Sequence, residues 1–272
     1  MIKGVVFDLD GVIVNTPDIY FKTMKEYIRG HSVKVKDEDV SKLIGYSLRD
    51  ELMLINQKYG LNIELSEFVS VVLSKSRKLM EKEMKVNDGF TELLSELKEN
   101  RFKTAVASNN VPSTIDFILS KYGFLESFDA IVGADDVKHG KPSPEIYIKA
   151  VEKLGLKKEE CIAIEDTLIG LKAVSAAGLK CIAFPNKFTN GQNLLGKGLR
   201  KSAFGQNLLG NPSKIIDFAG LVKPFRKPKQ NHRFCGPRKT KGFARRFAKN
   251  CLRLKPLVLQ GGLSKRSFAE TF

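Results

Sequence analysis

Val5-Val6-Phe7-Asp8-Leu9-Asp10-Gly11-Val12-Ile13 reads as a buried β-strand that stops at two aspartates, one residue apart, and then a glycine. Side chains alternate faces along a strand, so Asp8 and Asp10 start on the same side. Two carboxylates at a strand's carboxyl end cost free energy unless a cation or a proton occupies the gap. Gly11 permits a sharp turn and brings backbone close to a ligand. Taken alone, the stretch also fits a strand followed by an ordinary Asp-Gly turn. The rest of the chain has to separate the two readings.

Downstream of Asn87-Asp88-Gly89 the texture alternates between helices and short apolar runs. Strands are expected over 102–107, 130–132, 161–164 and 179–184, and helices over 90–99, 114–122, 144–154 and 168–177. The first strand is expected over 2–9. Near-continuous apolar strands separated by helices imply an α/β fold, a Rossmann-like parallel sheet covered on both faces. In such sheets a ligand sits outside the carboxyl ends of the strands. Asp8, Asp10, Ser108, Asn109, Glu165 and Asp166 all fall at those ends, so they are expected to converge on one crevice.

The segment 15–85 has a different period. Pro17 suits a first helical turn, with Thr16 as a candidate cap. Ile19, Met24, Tyr27 and Ile28 mark a first helix, followed by a polar break over 31–36. Val40, Leu43 and Ile44 mark a second helix stopped by Gly45. Leu48, Leu52, Met53 and Ile55 mark a third, ended by Gly60. Phe68, Val71, Val72, Leu79 and Met80 mark a fourth. The organisation expected is an α/β core over 1–14 and 86–220, a small helical domain inserted at 15–85, and a basic tail over 221–272.

Hydrophobic content of 42% and charged content of 28% are ordinary for a globular chain. No apolar run approaches the ~18 residues that a membrane helix needs. The chain enters a strand from Met1, which leaves no room for a signal peptide, so a cytoplasmic protein without membrane contacts is expected. Cys161, Cys181, Cys235 and Cys251 lack paired CxxC spacing, and the first two read as buried, reduced thiols. The net charge of +16 is uneven: from Leu221 to Phe272 there are 15 Lys and Arg against Glu270 alone. The remaining 31 basic and 29 acidic residues leave the body nearly neutral.

Three acids near one crevice, Asp8, Asp10 and Asp166 with Glu165 beside them, suit a hard cation such as Mg²⁺, which takes one or two carboxylates plus substrate phosphate. No Cys/His cluster of the kind zinc prefers is present. Lys141, in His139-Gly140-Lys141-Pro142-Ser143-Pro144, can bring a positive charge to a phosphate or to a nucleophilic carboxylate. Ser108 and Asn109, just before a helix, make a natural anion site. Each feature alone has a plainer reading: a helix cap at Ser108-Asn109-Asn110, a solvated surface lysine, and a helix cap at Glu165-Asp166.

Four motifs in order carry a resemblance that spans roughly 1–185. They are Asp8-Leu9-Asp10-Gly11-Val12-Ile13-Val14, then Ser108-Asn109, then Gly140-Lys141-Pro142-Ser143-Pro144-Glu145-Ile146-Tyr147, then Ile164-Glu165-Asp166-Thr167 with Gly170 and Ala177-Gly178. Together the chain resembles the haloacid dehalogenase superfamily of phosphohydrolases, on the side of the β-phosphoglucomutase-like enzymes with a helical cap. The resemblance implies Asp8 as nucleophile and Asp10 as general acid and base. It implies Mg²⁺ held by Asp8, the Asp10 backbone carbonyl and Asp166, with Glu165 in or next to the shell. Ser108, Asn109 and Lys141 are implied to hold the phosphoryl group. The substrate is implied to be a small phosphorylated metabolite, met by Thr16, Tyr20, Gly45, Ser47 and Arg49.

The departures from the family concern the substrate. The family often has aspartate where Asn15 stands. The mutase histidine falls at Tyr20, and the mutase arginine at Leu48, with Arg49 one place later. A phosphatase is therefore expected, with a sugar phosphomutase as the alternative. A monomer is expected. Gly191-Gln192-Asn193-Leu194-Leu195-Gly196 recurs at 205–210, read as a duplicated surface loop. The tail, with Phe225, Phe234, Phe243 and Phe247 among its basic residues, offers a nucleic-acid arm or an unstructured extension.

Overall fold

The computed structural model describes residues 1–184, 186 and 188 of the 272-residue chain. Strands β1 (Gly4–Phe7), β2 (Lys103–Ala107), β3 (Ala130–Val132), β4 (Cys161–Glu165) and β5 (Lys180–Ala183) form one parallel sheet in the order β3-β2-β1-β4-β5. β1 is central, and all its residues are buried, as a strand covered on both faces requires. Phe7 pairs with Val106 on one side and Ile164 on the other, so β1, β2 and β4 stop at one level. Backbone pairing runs one residue further, with Asp8 N donating to Ile164 O at 3.0 Å and Ser108 N to Val132 O at 3.0 Å.

Helices cover both faces. On one, Ile146, Tyr147, Ala150 and Leu154 of a helix at Glu145–Leu154, with Val174 of a helix at Leu168–Ala176, pack on Val6, Ala105 and Ala163. On the other, the Phe7 ring meets Phe90 edge-on at 5.5 Å, at the start of the helix Phe90–Glu99. In chain order the helices are α1 (Pro17–Gly30), α2 (Asp37–Ser41), α3 (Leu48–Tyr59), α4 (Leu65–Glu83), α5 (Phe90–Glu99), α6 (Pro112–Lys121), α7 (Glu145–Leu154) and α8 (Leu168–Ala176).

Helices α1–α4 lie between β1 and α5 and share their own apolar cluster, in which Ile28, Ile55, Phe68 and Val72 are at most 1% exposed. Two chain crossings join this segment to the sheet. Asn15 N donates to Lys85 O at 3.0 Å, and Lys85 N donates back to Asn15 Oδ1 at 2.7 Å. Val14 bridges Val86 beside them. Among the described residues no helix is long and apolar enough to cross a membrane.

Some expectations shift. The second helix ends at Ser41, short of Ile44, because 42–47 turns through Gly45 (φ 99°) to reach the sheet's end. Met53 is 61% exposed rather than core: Leu52 and Ile55 take the inward face of α3, and Met53 falls outside it. Val33 and Val35, in the expected polar break, pack on the helical cluster. Thr16 stands at the start of α1 without a side-chain cap, its hydroxyl being drawn to Asp10 instead. Cys161 and Cys181 are free thiols, and burial pushes Cys161 up to about 11. The duplication at 191–210, the last element suggested at 214–218, Cys235, Cys251 and the basic tail lie outside the described residues.

Candidate active site

The site grows from the level at which β1, β2 and β4 end. Asp8, Ser108 and Asp166 each stand directly after one of those strands, and all three are buried. Lys141, in the loop before α7, is only 2% exposed. Its Nζ donates to Asp8 Oδ1 at 2.5 Å and to Glu165 Oε1 at 2.6 Å. Burial opposes a charged lysine, but the Asp8 and Glu165 carboxylates outweigh it and hold the ammonium protonated well above the ordinary range. This geometry replaces the plainer reading of Lys141 as a solvated surface residue.

Glu165 does two jobs. Its Oε1 also accepts from the Tyr147 hydroxyl at 2.9 Å. Its Oε2 accepts from Asp166 N at 2.9 Å, Thr167 N at 3.0 Å and the Thr167 hydroxyl at 3.1 Å, at the start of α8. The cap of α8 is Thr167, whose hydroxyl accepts from Gly170 N at 3.0 Å, so the helix-cap reading of Glu165-Asp166 gives way to Glu165 bracing that cap while paired with Lys141. Gly170 makes room for it: a Cβ there would come within 1.7 Å of Glu165 Oε1.

Gly11 has φ 81° and lies against Asp166, where a Cβ would come within 1.8 Å of Asp166 Oδ2. Asn87 donates to the Gly11 and Val12 carbonyls at 2.8 and 3.0 Å and so fixes the turn. Asp10 accepts from the Thr16 hydroxyl on Oδ1 at 2.5 Å and from Asn110 Nδ2 on Oδ2 at 2.6 Å. The Tyr20 hydroxyl donates to Asn110 Oδ1 at 3.0 Å and completes that chain.

Asp8, Glu165 and Asp166 offer carboxylate oxygens that all lie within 4.8 Å of one another. Asp166 Oδ2 accepts from Asn186 Nδ2 at 2.5 Å, while Asp166 Oδ1 is buried without a hydrogen-bond partner. Burial pushes the Asp8 and Asp166 carboxyls well above the usual aspartate value of 3.8, and raises Asp10 as well. Several acids in a dry crevice with one ammonium hydrogen-bonded to them, and one buried oxygen unpartnered, fit a divalent cation with oxygen ligands.

The remaining expected residues are placed unequally. Asn109 Oδ1 accepts from Lys141 N at 2.8 Å, and its Nδ2 donates to Gly45 O at 2.9 Å and Lys141 O at 3.3 Å. Its side chain is thus spent on holding the lysine loop and the α2–α3 turn, and is not free for a phosphate. Ser108 Oγ accepts from Asn110 N at 3.2 Å. Gly45 lies against Thr167, where a Cβ would come within 3.0 Å of Cγ2. Ser47 caps α3, accepting from Asp50 N at 3.2 Å, and Arg49 is exposed. Ser47 is thus engaged at the start of its own helix.

Sequence reasoning assigned no role to Asn110, Tyr147, Asn186 or Glu51. Tyr147 lies inside a quoted motif and Asn110 directly follows one, so a signal for them existed. Glu51 gave none, since a glutamate one turn into an amphipathic helix reads as its solvated face.

Residues 5–184 match the family model described as haloacid dehalogenase-like hydrolase. The chain belongs to that family. It is 27% identical over 197 residues to the phosphorylated carbohydrates phosphatase of Thermotoga maritima, covering 72% of this chain and 91% of that one. Its fold matches the crystal structure of CbbY from Rhodobacter sphaeroides in complex with phosphate, with a TM-score of 0.65 and 26% identity over 72% of this chain and 92% of that one. It also matches the β-phosphoglucomutase of Clostridium difficile, with a TM-score of 0.62 and 25% identity over 67% and 84% of the two chains. The chain is an enzyme of the haloacid dehalogenase phosphatase kind, with sugar-phosphate phosphatases and phosphomutases among its relatives.

Proposed function

We propose that this enzyme hydrolyses a small phosphorylated metabolite, a sugar phosphate or similar ester, with Mg²⁺ and through an aspartyl-phosphate on Asp8. The observation that carries the reading is the buried Asp8–Lys141–Glu165 ion-pair chain beside Asp166 Oδ1, which has no partner. Lys141 fixes the rotamer of the Asp8 carboxylate and neutralises part of its charge, so that an anionic phosphoryl group can approach. Asp8, the Asp10 backbone carbonyl and Asp166 would hold Mg²⁺, with Glu165 adjoining. Bound there, Mg²⁺ neutralises charge on the phosphoryl oxygens.

An Asp8 carboxylate oxygen attacks phosphorus, and the bond from phosphorus to the ester oxygen breaks. Asp10, whose carboxyl is kept proton-prone by burial, gives its proton to the leaving oxygen. In the second half Asp10 takes a proton from water, water oxygen bonds to phosphorus, and Asp8 is released with inorganic phosphate. Ser108 and Lys141 hold the phosphoryl oxygens. The helices of 15–85 serve as a lid that excludes water and reads the substrate.

Phosphate release from a panel of sugar phosphates, phosphoglycolate and nucleotides is the test. Asp8→Asn is expected to abolish Mg²⁺-dependent release. Wild-type turnover in that variant rules out the covalent route. Interconversion of glucose phosphates without net phosphate release places the enzyme with the phosphomutases instead, since the two activities differ only in whether water or a phosphosugar accepts the phosphoryl group.

A further inference from the structure

Asn110 is a crevice side chain that the proposed chemistry does not use. It stands two residues before α6, where an asparagine ordinarily turns its side chain to the free N–H groups of the first helical turn. Here both ends of the amide are spent elsewhere. Nδ2 donates to Asp10 Oδ2 at 2.6 Å, and Oδ1 accepts from the Tyr20 hydroxyl at 3.0 Å. No local need of α6 explains that placement.

The amide springs from a fixed point. Asn110 N donates to Ser108 Oγ at 3.2 Å, and Asn110 O accepts from Ala134 N at 2.9 Å, so its backbone is tied to the ends of β2 and β3. Rotation of the amide would exchange its donor and acceptor ends and set an oxygen against the Asp10 carboxylate. The Tyr20 hydroxyl, donating to Oδ1, opposes that rotation. Tyr20 N donates to Thr16 O at 3.0 Å, which puts Thr16 and Tyr20 on one face of α1. The Thr16 hydroxyl holds the other oxygen of Asp10. The Asp10 carboxyl is thus gripped at both oxygens, from α1 directly and from the end of β2 through Asn110. Each oxygen keeps a further lone pair for a proton. Asp10, Tyr20 and Asn110 are only half-buried, so the carboxyl has an open side for a leaving group.

We infer that Asn110 is a positioning residue for Asp10, holding its carboxyl in the orientation from which it protonates the leaving oxygen, and that the Tyr20 hydroxyl sets which end of the Asn110 amide meets it. An unheld carboxyl turns about two side-chain torsions, and hydrogen bonds to both oxygens stop both. Proton transfer in the transition state depends on that alignment. Asn110 acts through Asp10, so its effect scales with how much the leaving group needs a proton. A residue that only braced the fold, or that bound the phosphoryl group, would lower turnover of every ester alike. The inference rests on the proposed phosphatase reading, in which Asp10 is the acid.

Two esters of matched shape test it. Phenyl phosphate and p-nitrophenyl phosphate share a ring, but nitrophenolate departs as a stable anion while phenolate gains more from a proton. The quantity compared is kcat/KM, which covers the steps up to departure of the alcohol, where Asp10 acts as acid. Asn110→Ala is expected to lower kcat/KM about tenfold for phenyl phosphate and less than about threefold for p-nitrophenyl phosphate. Tyr20→Phe, which removes only the hydroxyl, is expected to move the ratio of the two esters in the same direction by about threefold. An equal fall for both esters, or a ratio unchanged from the wild type, overturns the inference while leaving the phosphatase reading intact. If Asn110→Ala fails to fold by circular dichroism, the Tyr20→Phe ratio decides alone. Absence of phosphate release by the wild type from both aryl esters and from every ester of the panel overturns the phosphatase reading, and the positioning argument with it.

Discussion

The crevice at the strand ends and the helical segment α1–α4 are both well buried, but they are held together differently. In the crevice, Asp8, Lys141, Glu165 and Asp166 are charged groups with almost no exposure, and most of their polar atoms have a named partner. In the helical segment the interior is Ile28, Ile55, Phe68 and Val72, and the ion pairs Lys75–Glu26 and Lys25–Asp37 sit at the surface. Apolar packing tolerates exchange of one hydrophobic shape for another. A network of buried charges tolerates little, because removing one member strands the others. The helical interior can therefore accept hydrophobic exchanges that the charged crevice cannot.

The largest effect expected from breaking this contrast is at Asp8. Asp8→Asn should lower kcat by at least about 10⁴-fold, as loss of a covalent nucleophile does, with the fold retained by circular dichroism. On the helical side, Phe68→Ala should cost about 3–5 kcal/mol of stability through the cavity it leaves, read as a lower denaturation midpoint. Its folded fraction should still turn over substrate.

Gly11→Ala tests the close approach. Its Cβ would collide with Asp166 Oδ2, and its φ of 81° disfavours a side chain. Displacement of Asp166 by about 1 Å should reduce kcat about 10²-fold and weaken Mg²⁺ affinity, measured by titrating the cation.

Stability should also respond to pH and metal. Burial raises the folded-state pKa of Asp8 and Asp166, so their protonated forms favour folding. That contribution is complete below the ordinary aspartate value of 3.8 and is lost as pH rises through the elevated folded values. Asp39, Asp129 and Asp136 are lowered, and their contribution is lost as pH falls beneath the same range. With EDTA, Tm should fall as pH rises above the ordinary aspartate value of 3.8, by about 2–4 °C per kcal/mol lost, and Mg²⁺ should flatten the slope. A Tm that rises with pH in EDTA contradicts the burial argument. The smallest effect is local: Ser47→Ala removes the cap of α3 and should cost about 1 kcal/mol, with kcat almost unchanged.

Much of the core was legible because its signals are local. Apolar runs ending in Asp8, Ser108 and Glu165-Asp166 read directly as parallel strands with polar ends, and Gly60 and Gly155 close α3 and α7 in the left-handed conformation. Glu51 and Met53 show why the helical segment was harder. They are two residues apart on α3, yet the acid is buried and the methionine exposed, the reverse of what their polarity suggests.

The amino-acid sequence by itself determined the parallel sheet, the order of its motifs and the residues set at the strand ends, since strand periodicity and chain direction act over a few residues. Tertiary structure decided which carboxylates Lys141 holds, that Asn109 ties the α2–α3 turn to the lysine loop, and that Glu51 is buried. Those outcomes depend on contacts between distant segments that no local pattern encodes: Lys141 reaching Asp8 and Glu165, and Gly45 of the α2–α3 turn meeting Asn109 and Thr167 at the ends of β2 and β4, some 60 to 120 positions away.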